Sequence, residues 1–116
     1  MNRDWRKLKH SANGVPTNDS LLPYVLEVLK DDIEVHKKVV IERVIEFLQI
    51  PETILAEKYP ESQENEGIMI DRFGWALSSL YIADLVQRPR RGVYKITESG
   101  LTMLDQYGDR LTKKDL

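Results

Sequence analysis

A chain of 116 residues, 41% hydrophobic and 31% charged, is long enough for one domain with a modest core and too apolar to be compositionally disordered. It has no cysteine, which excludes disulfides, thiolate metal sites and cysteine nucleophiles together and fits a reducing compartment. The net charge of −2 argues weakly against nucleic acid, but the distribution reads differently: residues 72–97 carry five basic groups and one acidic, whereas residues 16–71 carry five basic and thirteen acidic.

The charged start, Met1 to His10, contains Trp5 and lacks the apolar stretch of a signal peptide, and no apolar run reaches the length of a membrane span. A cytoplasmic protein is expected. Residues 1–18 mix charge with Asn13-Gly14 and Pro16 and read as a mobile basic arm carrying Arg3, Arg6, Lys7 and Lys9. Asp19 and Ser20 are N-cap candidates, Pro23 suits a first helical turn, and Leu22, Val25, Leu26 and Leu29 give helical spacing over 20–31. Ile33-Glu34-Val35 is a minimal strand or a linker. A second helix is predicted over 38–48, with Val40, Val44, Phe47 and Leu48 as its buried stripe. Pro51 opens a short helix over 52–58, and the polar run 60–67 is a loop.

The longest helix is predicted over 71–84. If Leu77 marks its inner face, Ile70, Phe73, Leu80 and Tyr81 lie beside it, and Arg72, Trp75, Ser79 and Ile82 lie opposite. Two strand-like runs follow, 85–88 and 92–96, joined by Pro89-Arg90-Arg91 into a short hairpin. Thr97 caps a last helix bearing Leu101, Leu104 and Tyr107, and 111–116 is a tail after a domain spanning 19–110. A helix running straight into a basic hairpin is the winged form of helix-turn-helix, a mainly α architecture with a small β-hairpin, or α+β.

Several residues carry a resemblance. Arg72-Phe73-Gly74-Trp75-Ala76, then Leu80, Ala83 and Leu85, then Arg91-Gly92-Val93-Tyr94-Lys95-Ile96-Thr97 with Gly100, resemble the N-terminal domain of Mrr-type restriction endonucleases over about residues 20–107. The chain departs from that pattern at Asp84, where the family usually has Gly, and in the absence of the following PD-(D/E)xK nuclease half. Asp105, Asp109 and Lys113 do not replace it, because no strand holds them.

The resemblance implies a double-stranded DNA-binding module with no catalytic site of its own, serving in a restriction system. The expected contacts are Arg72 and Ser79 from the long helix and Arg88, Arg90, Arg91 and Lys95 from the hairpin, the helix reading bases and the hairpin meeting phosphates. Trp75 and Ile82 form a packing or partner face. The alternatives are a protein–protein or dimerising winged helix and a transcriptional regulator, with a separate nuclease subunit or a second copy of the chain as further partners. His10 and His36 have no ligand spacing, so neither metal nor cofactor is expected.

Overall fold

The computed structural model describes residues 1–59 and 67–116, and the 60–66 part of the expected loop lies outside them. The elements run α1 (Asn18–Val28), β1 (Val35–His36), α2 (Lys37–Leu48), a single turn α3 (Glu52–Leu55), α4 (Ile68–Ile82), β2 (Val86–Arg90), β3 (Val93–Ile96) and α5 (Glu98–Tyr107). This is the winged-helix order, and the sheet is antiparallel in the order β1-β3-β2.

Helix α1 is the centre of the core. Leu21 to Leu26 are all buried, and the helix packs against α4, α2 and α5. It runs Asn18–Val28 where 20–31 was expected, starting two residues earlier because Thr17 rather than Asp19 or Ser20 is the N-cap, its hydroxyl accepting from Ser20 N at 3.3 Å. In α2 the buried stripe is Val40, Ile41, Val44 and Leu48, with Phe47 only half-buried beside Tyr24.

Helix α4 buries Ile68, Met69, Phe73, Ala76, Leu77 and Leu80. Ile70 and Tyr81, expected on this face, are 43% and 47% exposed. The helix begins at Ile68 rather than Asp71, and its buried stripe is centred on Phe73 and Leu80 with Met69 and Ala76 beside them, which leaves Ile70 and Tyr81 at the margin of the face packed on α1. Its end is a Schellman motif: Leu85 N donates to Leu80 O at 2.9 Å and Asp84 N to Tyr81 O at 3.0 Å. The residue that must turn left-handed is Asp84, with φ 62°. Glycine takes that conformation without a Cβ penalty, which accounts physically for the residue usual in the resembled pattern. Asp84→Gly is therefore expected to stabilise the domain by about 0.5 kcal/mol, the relief of strain being partly offset by a more flexible unfolded chain. Chemical denaturation of the two proteins checks the sign.

The hairpin forms as expected, with its turn displaced. Val86 pairs with Ile96, Gln87 with Lys95 and Arg90 with Val93, so strand β2 runs through Pro89 and the turn falls at Arg91-Gly92. The register slips between Gln87 and Arg90, and such an irregularity is where a proline without an N–H fits a strand. Gly92, at φ 74°, makes the turn. Strand β1 adds Val35 opposite Tyr94 and His36 opposite Val93, two residues further along than the stretch that could have been strand or linker.

Both ends of the chain pack on the domain. Residues 1–18 were expected as a mobile arm, yet Val15 is fully buried, Ser11 N donates to Val15 O at 3.0 Å, and Thr17 N to Lys9 O at 2.9 Å. Trp5 stacks on His10 with ring centroids 5.2 Å apart. Of the cations expected to move freely, Arg3 lies 4.3 Å over the Phe47 ring and Arg6 pairs with Asp4 at 3.1 Å. That pairing holds the Asp4 carboxyl below its usual range, chiefly through the side-chain hydrogen bond from Arg6. In the expected tail, Leu111 is buried and Lys113 N donates to Asp19 Oδ1 at 2.6 Å.

Candidate nucleic-acid interface

The hairpin projects the cations the sequence singled out, in different surroundings. Arg88 lies over two rings, 5.4 Å from the Tyr81 centroid and 5.8 Å from that of Tyr94, which fixes its guanidinium against the base of the wing. Arg90 Nη2 lies 3.3 Å from Glu34 Oε1, and both side chains are well exposed. Lys95 Nζ is 3.9 Å from Asp32 Oδ1. Arg91 sits exposed at the turn itself, beside Gly92.

A second basic group meets this turn. Lys37 N donates to Gly92 O at 2.7 Å, and the His36 ring lies against the turn so closely that a Cβ on Gly92 would sit 3.4 Å from its Nε2. The His36 ring caps α2 as well, its Nδ1 accepting from Lys38 N at 3.2 Å. His36, Lys37 and Lys38 thus open a helix whose first turn has no acidic residue. Cations at a helix N-terminus add to the positive end of the peptide dipole rather than cancel it, at a cost to stability. This run was not singled out in the sequence. The available signal was two lysines at the wrong end of an amphipathic helix.

Lys37 reaches the third component. Its Nζ lies 3.6 Å from where a Gly74 Cβ would stand, so the residue holds the wing turn through its backbone N–H and places its ammonium group on α4. That outer face is apolar rather than basic. Ile82 is 81% exposed and Trp75 59%. Ser79 is half-buried next to them.

Arg72 departs from the expected role. Its Nη1 lies 2.8 Å from Val15 O, 2.9 Å from Ser11 Oγ and 3.0 Å from Pro16 O. The guanidinium points into the N-terminal segment and away from the outer stripe. Loss of charged hydrogen bonds of this kind costs about 1.5–3 kcal/mol, so Arg72→Ala is expected to lower the thermal midpoint. Its effect on any preference between DNA sequences should be small.

The sequence profile of the Mrr N-terminal domain matches residues 19–106. The chain belongs to the Mrr N-terminal domain family. The match begins inside α1 and ends inside α5, and thus takes in the sheet, the wing and α4 whole. No curated protein and no solved structure matches the chain significantly. As a member of the Mrr N-terminal family the chain carries a restriction-related domain, and the nuclease half of Mrr-type enzymes lies outside what is matched. Among the described residues no group of three or more His, Cys, Asp or Glu side chains is placed to hold a metal ion. No helix among them is long and apolar enough to cross a membrane.

Proposed function

We propose that this Mrr N-terminal domain binds double-stranded DNA as a non-catalytic part of a restriction-related system, gripping the backbone with the wing and the start of α2. The observation that carries this reading is the single hydrogen bond from Lys37 N to Gly92 O. It brings Arg90 and Arg91 of the wing together with Lys37 and Lys38 around one turn, with Arg88 at the base of the wing. Spaced cations on two rigid elements suit successive phosphates, which position a protein without reading sequence. Lys95, further from the tip and near Asp32, is a weaker contributor.

The outer stripe of α4 argues against that helix lying alone in the major groove. Asp71, Trp75, Ser78 and Ile82 offer a carboxylate and no cation, and Arg72 is engaged elsewhere. Ser79 is the remaining base-reading group expected there. A second reading, a protein-binding winged helix, is favoured specifically by the exposure of Trp75 and Ile82.

Titrating a labelled duplex at increasing salt tests the proposal. About four to five phosphate contacts should make affinity fall with a log–log slope near −0.9 per contact. No binding at low salt, or binding indifferent to salt, would overturn it.

A further inference from the structure

The outer face of α4 carries a regular stripe of residues. Asp71, Trp75, Ser78 and Ile82 follow each other at intervals of four, three and four residues, the spacing of a seam between two paired helices. The two large apolar members of this seam are among the most exposed hydrophobic side chains of the domain, at 59% for Trp75 and 81% for Ile82. Isolated exposed apolar side chains are ordinary, but two on one helical stripe form a surface that water solvates poorly.

The seam is self-complementary when two copies are laid antiparallel. A two-fold axis passing between Trp75 and Ser78 sets Trp75 of one copy opposite Ser78 of the other, a large side chain against a small one. Gly74 and Ser79 flank the same line; Ser79 keeps one side low, and on the other the Lys37 ammonium lies over Gly74. Beside Ser78 a cleft of about 540 Å³ is lined by Trp75, Ser79, Ile82, Ala83 and Lys113, roomy enough for an indole.

Charge agrees with this arrangement. The same axis sets Asp71 of one copy opposite Ile82 of the other. Asp71 Oδ2 accepts from the Tyr59 hydroxyl at 3.0 Å and Lys113 lines the cleft at the other end of the helix, so an antiparallel pairing would bring each Asp71 carboxylate toward the Lys113 ammonium of the other copy. A parallel pairing would put Asp71 against Asp71. From the spacing, the size alternation and the opposite charges at the two ends, we infer that α4 is a homodimer interface, two copies packing antiparallel through Trp75 and Ile82. Such a dimer is isologous, the same patch serving both partners. The Lys37 ammonium, beside Gly74, marks the edge of this seam.

The experiment needs no DNA and so stands apart from the function proposed above. Sedimentation equilibrium of the whole chain should give twice the chain mass, dissociating on dilution. Ile82→Arg, at a position this exposed, should keep the thermal midpoint and sediment as a monomer. Asp71→Lys alone should weaken dimerisation at least tenfold, and Asp71→Lys combined with Lys113→Asp should restore it. A wild-type chain that stays monomeric at every concentration overturns the inference. So does a dimer that survives Ile82→Arg together with Trp75→Arg, or a double charge reversal no tighter than the single one.

Discussion

Gly100→Ala should cost the domain roughly 3–4 kcal/mol, at or above the top of the usual overpacking range. Gly100 is buried in the first turn of α5, and a Cβ built there collides with the Leu85 carbonyl oxygen and stands 2.7 Å from Ile96 Cγ1. Neither neighbour can move cheaply. Leu85 O already accepts from Thr97 N at 3.0 Å, and Leu85 is itself the closing residue of the Schellman turn at the end of α4. Thr97 is tied in as well, its hydroxyl donating to Asp84 O at 2.7 Å and accepting from Gly100 N at 3.0 Å. One added methyl group would therefore force apart the end of α4, the end of β3 and the start of α5 at once. For a domain of this size each kcal/mol lowers the thermal midpoint by about 4–8 °C, so a fall of roughly 15 °C or more is expected. A midpoint within a few degrees of the wild type would show that α5 can slide away from Leu85.

Arg90→Ala with Arg91→Ala should weaken duplex binding about a hundredfold at low salt, taking about 1.4 kcal/mol, or a factor of ten, for each lost charged contact. The loss should be nearly equal for all sequences, because a hairpin tip meets phosphates. The salt slope should flatten by about 0.9 for each contact removed. The two positions are not equivalent. Arg90 must leave Glu34 to reach a phosphate, whereas Arg91 sits at the turn next to the Lys37–Gly92 bond. An exposed ion pair is worth about 0–1 kcal/mol, and breaking it subtracts from what Arg90 contributes. Of the single changes, Arg91→Ala should thus be the larger. Glu34→Gln should tighten binding slightly. Unchanged thermal stability with unchanged affinity would remove the wing from the interface.

What the sequence made legible follows from what kind of pattern each element leaves. The switch from a period of 3.6 to extended residues at Leu85 marked the hairpin, and Thr97 three residues before Gly100 marked the start of α5, because caps and periods are local. The phase of α4 was less legible. Leu77 is buried, but it lies at one edge of the inner face rather than at its centre, so Ile70 and Tyr81 beside it fall outside, and only packing against α1 decides such positions. Arg72 could not be read at all: its acceptors include carbonyl oxygens of Val15 and Pro16, more than fifty residues back, and a carbonyl has no letter in the sequence. The packed N-terminal segment was missed for the same reason, since its order comes from turns and backbone bonds rather than from apolar periodicity. His36, Lys37 and Lys38 join the wing through a main-chain bond that no side-chain pattern announces.

Evolution and folding draw different borders around this domain. The recurring family unit is residues 19–106, yet Val15 before it and Leu111 after it are both in the core. A chain trimmed to the family limits would open two holes in the hydrophobic interior and lose the Val15 and Pro16 carbonyls that receive Arg72. It would also lose the Thr17 hydroxyl that starts α1. The shared part is what relatives need in order to look alike; the flanks are what this member needs in order to hold together. Swapping this domain between relatives by cutting at the family borders would then yield hybrids that fail to accumulate, and the failure would be mistaken for lost function.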